Sequence, residues 1–295
     1  MHSFGKPRIL IIGCGDIGRR VAMQLSGNYR VFALTSQIRR FQELRAVGAI
    51  PILGDLDKPD SLWRLSGLAQ TIIHLAPPQN TGHRDCRTRN LLRILAQGSD
   101  TVRRLIYVST TGVYGDHRGA EVSEITPVSP QSERAKRRVD AEKVLRLWAP
   151  AHGVALTILR VPGIYARDRL PLERIQMGIP ALLTAEDGYS NHIHSDDLAR
   201  LVCATVYYGK PQRIINACDG GKTKMGDYFD EVADAFELAR PPRLSGADIQ
   251  KIVSPMVWSF MRESRRVTNT RLSELKTPLR YPSVAHFLKT ISKNP

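Results

Sequence analysis

Three closely spaced glycines near the N-terminus have the spacing of a phosphate-binding turn. Gly13, Gly15 and Gly18 form a GxGxxG pattern between a short apolar run and a segment with helical spacing. Gly13 permits a tight turn, Gly15 lets the backbone approach a pyrophosphate, and Gly18 lets the helix pack closely on the strand. The helix N-terminus adds free N–H groups and a partial positive charge. The pattern therefore predicts a dinucleotide site, whereas a glycine turn without a ligand is the less favoured alternative.

The residues after the next apolar run indicate which dinucleotide binds. NAD sites usually place an Asp or Glu about 20 residues after the glycine turn, where it bonds the ribose 2′-hydroxyl. No acidic residue lies between Asp16 and Glu43, and the run ends instead in Thr35-Ser36, followed by Arg39-Arg40. Guanidinium groups bind phosphate oxygens through paired charged hydrogen bonds, so the sequence favours NADP over NAD. The alternative is that both arginines begin a solvated helix.

The elements that position these residues alternate regularly along the chain. Apolar runs suited to buried strands occur at 8–12, 30–34, 48–53, 71–76, 104–109, 154–161 and 213–217. Helical segments separate most of them, which predicts an α/β fold with a doubly wound parallel sheet. Ligands bind beyond the carboxyl ends of the strands in such sheets. The candidate edges of the site are therefore Gly54-Asp55, Leu75-Ala76-Pro77 and Ser109-Thr110-Thr111.

Composition and charge restrict the class of protein and its partners. The 295 residues contain no apolar run of membrane-spanning length, and the first strand begins within the first ten residues, which leaves no room for a signal peptide. The four cysteines form no CxxC pair, which favours reduced thiols and a cytoplasmic location. The net charge of +15 favours anionic partners. Because the basic residues are spread along the chain and no nucleic-acid-binding motif is recognisable, a passive basic surface is favoured over nucleic-acid binding.

Several motifs, taken in order, resemble those of a known family. They are the glycine turn, Gly54-Asp55-Leu56, His74-Leu75-Ala76, YVSTTGVYG at 107–115, LRVPGIY at 159–165 and HIHSDDLA at 192–199. Over nearly the whole chain they are similar to extended short-chain dehydrogenases/reductases, the NAD-dependent epimerase/dehydratase family. The resemblance implies a Rossmann-like nucleotide domain over 1–165, to which 191–217 return, and a smaller C-terminal substrate lobe over 166–190 and 218–295. Because family members often pair through helices on the sheet, a homodimer is consistent with it.

The resemblance also implies a set of catalytic positions. Family members carry a Ser or Thr three residues before the Val of the VYG motif, where it bonds the reacting oxygen, and Thr110 occupies that position. They carry Tyr-x-x-x-Lys on the following helix, in which the Tyr passes a proton as hydride moves and the Lys lowers the pKa of the Tyr. The resemblance matches the Lys to Lys136 and the Tyr to Ser132, whose hydroxyl is a far weaker acid than a phenol. The chain thus resembles the atypical branch of the superfamily, which keeps the cofactor fold and loses the standard catalytic set.

Three further groups of residues are candidates for the site. The residues expected to contact the cofactor are Gly13, Gly15, Asp16, Ile17, Gly18, Thr35, Ser36, Arg39, Arg40, Asp55, Leu56, Leu75, Ala76, Pro77, Lys136 and Pro162. Candidates for a substitute acid are Tyr114, Tyr165, His117 and His192, and candidates to face the substrate are Glu173, Arg174, Met177 and Tyr189.

A short segment rich in histidine and aspartate raises the question of a metal site. His192 and His194 share one face of the predicted strand, and Asp196 and Asp197 follow them. The same acids are explained by a helix that begins here, with Ser195 as its cap. No metal is therefore predicted.

Three functions are compatible with these observations. The favoured one is an NADP-dependent oxidoreductase or epimerase/dehydratase-like enzyme that acts on a small hydroxyl or carbonyl substrate, for example a sugar or nucleotide sugar. Its support is the retained Thr110 and Lys136. The absence of the catalytic Tyr favours the alternative of a non-catalytic NADP-binding sensor or regulator. The basic charge leaves a nucleic-acid-associated protein as a third option.

Overall fold

A parallel sheet of seven strands lies at the centre of the molecule. The computed structural model describes residues 5–98, 102–254, 257–258 and 261–291; the other positions of the predicted nucleotide domain and substrate lobe lie outside this range. The strands of the sheet are β1 (Arg8–Ile12), β2 (Arg30–Thr35), β3 (Ala49–Leu53), β4 (Thr71–His74), β5 (Arg104–Thr110), β7 (Ala155–Val161) and β11 (Arg213–Asn216). Their order is β11-β7-β5-β4-β1-β2-β3, and every pairing is parallel.

Helices cover both faces of the sheet. The α-helices are α1 (Asp16–Leu25), α2 (Phe41–Ala46), α3 (Cys86–Leu95), α4 (Glu133–Ala151), α5 (Leu172–Gln176), α6 (Ser195–Tyr208), α7 (Met225–Ala235), α8 (Gly246–Ile252) and α9 (Val284–Ile291). Ile9 and Ile11 of β1 share a buried cluster with α1 and α6, whereas Leu10 and Ile12 share one with α3 and α4. Alternate side chains of a strand point to opposite faces, so this run is apolar because helices bury both of its faces. The predicted doubly wound parallel sheet is confirmed.

Short strand pairs and a second core occupy the C-terminal side of the molecule. The short strands are β6 (Glu121–Val122), β8 (Gly163–Tyr165), β9 (Ala181–Leu182), β10 (His192–His194), β12 (Arg243–Leu244) and β13 (Arg266–Val267). They pair as β10–β8, β12–β9 and β13–β6. Aromatic and aliphatic side chains of α5, α7 and α9, among them Phe229 and Phe287, form a separate buried cluster around Tyr165. The pairing of β13 with β6 brings the segment around residue 265 back to the carboxyl end of β5.

None of the helices in the described part of the chain combines the length and the apolar character that crossing a bilayer needs.

Candidate functional site

The glycine turn lies between β1 and α1, and its three glycines have different surroundings. Gly13 has a φ of +86°, and a Cβ atom there would collide with the backbone of Ala76. A Cβ on Gly18 would lie 3.1 Å from the carbonyl oxygen of Gly13, at the point where helix and turn meet. At Gly15, by contrast, a Cβ would meet nothing within 4 Å. The turn is therefore closed toward the protein at Gly13 and Gly18 and open toward solvent at Gly15.

A groove of about 390 Å³ runs over this turn along the carboxyl edge of the sheet. Its wall contains most of the predicted cofactor-binding residues: Gly13, Gly15, Asp16, Ile17, Gly18, Thr35, Ser36, Arg40, Asp55, Leu56, Leu75, Ala76 and Pro77. Sequence reasoning missed Arg87 and Arg169, which also line it. Arg169 pairs with Asp16 at 3.0 Å, and Arg87 pairs with Asp57 at 2.6 Å. Both arginines come from segments that carry no recognisable cofactor motif.

The two arginines after β2 have different environments. The guanidinium of Arg40 donates to the carbonyl oxygen of Cys14 at 2.7 Å and to Glu43 at 3.1 Å, and Arg40 lines the groove. Hydrogen bonding from Arg40 lowers the pKa of Glu43, which also pairs with Arg19 at 2.6 Å. Arg39 is exposed, donates to the Gln37 side chain at 3.1 Å, and is not among the described residues of the groove wall. The structure therefore brings Arg40, but not Arg39, to the glycine turn.

A larger cavity of about 650 Å³ continues from the groove. The two share Ile17, Leu75 and Pro77 in their walls. The cavity wall contains Thr110, Ser132 and Pro162 of the predicted site, together with residues from both ends of the chain. The Thr110 hydroxyl accepts a hydrogen bond from the N–H of Gly112 at 3.2 Å, and its own proton is available to a second partner. The Ser132 hydroxyl accepts from the N–H of Ala135 at 3.3 Å and so caps α4.

Lys136, the position matched to the family's lysine, lies at the surface of α4. Lys136 is exposed, and its Nζ donates to Glu133, which lies one turn earlier on α4, at 2.8 Å. It is not among the described residues that line either the groove or the cavity. Arg134 and Arg138 have the same four-residue spacing as Ser132 and Lys136, and both line the cavity. Ser132, Arg134, Ala135 and Arg138 thus line the cavity from the first turns of α4, whereas Lys136 points to Glu133.

Comparison with known proteins assigns this architecture to a family. The model of the "NAD dependent epimerase/dehydratase family" matches residues 9–218, which include the sheet, the glycine turn and the VYG segment. The chain belongs to this family. This family is the one that the sequence motifs resemble.

Several relatives of this epimerase/dehydratase chain are similar over most of its length. Protein YeeZ of Escherichia coli K12 is 24% identical over 257 residues, which cover 83% of this chain and 89% of YeeZ. A solved structure of a functionally unknown conserved protein from Silicibacter pomeroyi has a TM-score of 0.82 at 27% identity and covers 98% of this chain and 99% of that one. Human epimerase family protein SDR39U1, solved with NADPH, has a TM-score of 0.74 at 16% identity, and the match covers 98% of this chain and 100% of that one.

A named enzyme is similar to part of the chain. The dTDP-glucose 4,6-dehydratase of Mycobacterium tuberculosis H37Rv is 25% identical over 164 residues, covering 52% of this chain and 48% of that enzyme.

The candidates for a substitute acid are buried or already hydrogen-bonded. Tyr114 is fully buried and donates to the side chain of Asn216 at 2.7 Å, and burial raises its pKa. Burial lowers the pKa of His192 to about 4, so it is neutral near pH 7. Tyr165 is buried and His117 approaches the carbonyl oxygen of Tyr114 at 3.2 Å. None of the four is among the described residues of the cavity wall.

One residue from the predicted substrate-facing group does line the cavity. Tyr189 is the one tyrosine among the described lining residues, and the guanidinium of Arg266 lies 5.4 Å from the centre of its ring. Glu173, Arg174 and Met177 are outside that set. Arg174 instead lies over the ring of Phe229 at 4.9 Å, within the C-terminal core.

The histidine–aspartate segment has a structural explanation in its contacts. α6 begins at Ser195 and not after it, and its cap is His194, whose Nδ1 accepts from the N–H of Asp196 at 3.2 Å. The prediction of Ser195 as the cap is therefore wrong by one residue. His192 contacts the hydroxyl of Ser190 at 3.0 Å. Within the described ranges, no group of three or more His, Cys, Asp or Glu side chains is arranged to hold a metal ion.

Proposed function

We propose that the chain is an NADP(H)-dependent oxidoreductase or epimerase/dehydratase-like enzyme that acts on a hydroxyl or carbonyl group of a small substrate. The observation that carries the proposal is the continuity of the groove with the cavity through Ile17, Leu75 and Pro77. A dinucleotide with its pyrophosphate on the glycine turn would extend toward that junction, because these three residues belong to the walls of both the groove and the cavity. The open space at Gly15 would let a pyrophosphate come close to the backbone of the turn.

Several residues support NADP over NAD. The wall after β2 offers the hydroxyls of Thr35 and Ser36 and the guanidinium of Arg40, all suited to a 2′-phosphate. The acids of the groove wall are Asp16, already paired with Arg20 and Arg169, and Asp55, at the far side of β3. Among the described residues of this wall, no carboxylate at the end of β2 is therefore placed to accept a hydrogen bond from the ribose 2′-hydroxyl, as NAD sites usually require. Similar structures solved with cofactor hold NADPH in one case and NAD in others, so the preference for NADP rests on the residues of the groove wall.

The cavity supplies groups for chemistry on an oxygen. The bound cofactor would supply or accept a hydride. The hydroxyl of Thr110 would donate to the reacting oxygen, and the phenol of Tyr189 is the proposed proton carrier. A nucleotide sugar is the proposed substrate class, supported by the similarity to a dTDP-glucose 4,6-dehydratase and by the size of the cavity.

The cofactor proposal is tested by titrating the protein with NADPH and NADH. Arg40→Ala should weaken NADPH roughly ten- to 100-fold, because a charged hydrogen bond contributes about 1.5–3 kcal/mol, and should leave NADH nearly unchanged. Arg39→Ala is the matched control: it removes the same charge one residue away, outside the groove wall, and should bind both cofactors as the parent does. Equal losses for NADPH and NADH in Arg40→Ala would refute the 2′-phosphate assignment, and failure of the parent to bind either would refute the proposal.

A non-catalytic NADP-binding sensor is the second candidate, and one observation favours it. The cavity-facing positions of α4 carry Ser132, Arg134 and Arg138, none of which is a phenol. A panel of aldehydes, ketones and nucleotide sugars with NADPH separates the two functions. Turnover that falls strongly in Tyr189→Phe supports the enzyme, and tight NADPH binding without turnover across the panel supports the sensor.

A further inference from the structure

Basic residues collect at the edge of the sheet opposite the glycine turn. Because all seven strands are parallel, their first residues and the loops before them meet at this edge. These segments are 5–8, 26–30, 47–49, 66–71, 96–104, 152–155 and 209–213, and their lysines and arginines are Lys6, Arg8, Arg30, Arg103, Arg104, Lys210 and Arg213. Asp100, outside the described residues, is the one Asp or Glu in the same segments. The basic residues lie far apart in the sequence, and the topology of the sheet brings them together.

The positive charge of this edge is concentrated at β1 and β2. Arg8 and Arg30 are partners in the register of these strands, so their Cα atoms lie about 5 Å apart, and both residues are exposed. No carboxylate among the described residues pairs with either arginine. Glu274, by contrast, pairs with both Lys210 and Arg213 at the β11 end. Two neighbouring cations without a counterion repel each other, and a bound anion would relieve that repulsion.

The start of β5 adds two more arginines to the same line. β5 lies two strands from β1, with β4 between them, so the first residues of β5 and β1 are about 10 Å apart. Arg103 is exposed, and Arg104 donates through Nη1 to the uncharged carbonyl oxygen of Gly209. A small anion can contact one or two of these cations. A flexible polyanion can place successive charges along all of them.

Exposed aromatic rings lie beside these charges. Tyr29 directly precedes Arg30, and its ring centre lies 6.0 Å from that of Tyr207, which in turn lies 6.3 Å from that of Tyr208. Tyr207 is 52% exposed and Tyr208 is 43% exposed, at the end of α6 next to the carbonyl that Arg104 contacts. Aromatic side chains beside a basic groove are the platforms on which unpaired bases stack.

We propose that this basic edge binds single-stranded nucleic acid; it is defined as Lys6, Arg8, Arg30, Arg103 and Arg104 together with Tyr29, Tyr207 and Tyr208. The basic side chains contact phosphates, and the tyrosine rings stack on bases. The rings favour a single strand over an acidic peptide, whose carboxylates need only the cations, and over a duplex, whose bases are already stacked on each other. Binding by phosphate contacts and stacking carries little sequence preference.

Fluorescence anisotropy of a labelled oligothymidylate or oligouridylate, about 15 nucleotides long, tests the contribution of the arginines. Arg8→Gln/Arg30→Gln should weaken binding roughly tenfold at low salt. It should also reduce the slope of log K against log salt by about 1.4, because each phosphate contact on a single strand contributes about 0.7. Arg240→Gln/Lys251→Gln is the matched control: it removes two exposed charges from the C-terminal lobe and should change binding less than twofold. Equal losses in the two double variants would overturn the proposal, because net charge alone would then drive binding.

The contribution of the rings is tested with Tyr207→Leu, which keeps an apolar side chain and removes the stacking surface. It should weaken the oligonucleotide about fivefold or more and leave the binding of polyglutamate of equal charge unchanged. Polyglutamate that binds the parent as tightly as the oligonucleotide, with Tyr207→Leu affecting neither, would overturn the proposal in favour of an acidic protein partner. Failure of the parent to bind the oligonucleotide at low salt would overturn it as well.

An NADPH competition separates this surface from the proposed cofactor groove. The groove lies at the carboxyl ends of the strands and the basic edge at their amino ends, so saturating NADPH should leave the oligonucleotide bound. Displacement by NADPH would overturn the proposal, because the oligonucleotide would then occupy the groove. NADPH binding should be the same in the parent and in Arg8→Gln/Arg30→Gln, which also shows that the variant is folded. Oligonucleotide binding that depends on Arg8 and Arg30 in a chain that binds no NADPH would refute the cofactor proposal alone.

Discussion

The buried carboxyl of Asp219 should make the folded chain less stable as pH rises toward neutrality, which is the opposite of the usual effect of an aspartate. Asp219 lies three residues after the end of β11 and is 3% exposed. Its Oδ1 accepts from the N–H of Gly221 at 3.0 Å, and its Oδ2 has no hydrogen-bond partner within the described residues. Burial raises the pKa of the Asp219 carboxyl from 3.8 to about 7. Between those values the folded chain keeps a proton that the unfolded chain has released.

The sign and size of the effect follow from this difference in bound protons. Because the folded state binds the extra proton, the free energy of unfolding falls as pH rises from about 4 to about 7. Each pH unit changes the free energy of unfolding by about 1.4 kcal/mol, so the rise over about three units lowers it by about 4 kcal/mol at most. Asp219→Asn removes the titration and keeps an oxygen that can accept from Gly221. We expect it to unfold like the parent near pH 4.5 and to be more stable by roughly 2–4 kcal/mol at pH 8.

Urea unfolding of both chains at half-unit intervals from pH 4.5 to 8 measures this gap. Asp234→Asn is the control, because Asp234 is exposed and pairs with Arg240 at 2.7 Å, which lowers its pKa. A lowered pKa gives stability that is lost as pH falls, so this control should show no gain that grows toward pH 8. Parallel curves for the parent and Asp219→Asn, or a gap that opens toward acid, would refute the reasoning about Asp219.

Two other pairs of substitutions give opposed outcomes. Gly13→Ala should lower the free energy of unfolding by at least about 2 kcal/mol in thermal unfolding, because a Cβ at φ +86° collides with Ala76. Gly15→Ala should fold normally but weaken NADPH binding about tenfold, because the new methyl group fills the groove. A stability loss at Gly15 with normal folding of the Gly13 variant would contradict the roles of the two glycines. Glu142→Gln should lower the free energy of unfolding by about 3–5 kcal/mol, because it leaves the buried Arg160 without the carboxylate that it contacts at 2.7 Å. The double variant Glu142→Leu/Arg160→Met removes both charges and should recover most of that stability. A double variant no more stable than Glu142→Gln would count against a penalty from the buried charge.

The sequence predicts most of the described groove wall because the signals for it are local. Gly13, Gly15 and Gly18 lie within six residues, and their spacing, the preceding strand and the following helix are all read from one segment. The carboxyl ends of parallel strands meet at one sheet edge by topology, which brings Asp55 and Leu75 to the same groove. These predictions need only the order of the strands.

The cavity is less predictable because its geometry depends on helix phase. A four-residue spacing on α4 is met by both Ser132–Lys136 and Arg134–Arg138, and the sequence alone does not say which pair faces inward. A usable signal is Glu142, four residues beyond Arg138, since an acid on an otherwise buried helix face suggests a buried partner. That partner is Arg160 on β7, so residues 134, 138 and 142 follow the side of α4 that faces the sheet.

The pairing of β13 with β6 has a consequence for how the site is completed during synthesis. The N–H of Ser264 donates to Asp116 at 2.8 Å, and Arg265 reaches the carbonyl oxygen of Gly115 at 2.9 Å. Among the described residues, the groove wall ends at Arg169, whereas the cavity wall also includes Glu263 and Arg265. A nascent chain on the ribosome can therefore assemble the groove wall about a hundred residues before it has made the last wall of the cavity. Fragments released by translational arrest between these points would carry every groove residue and an incomplete cavity.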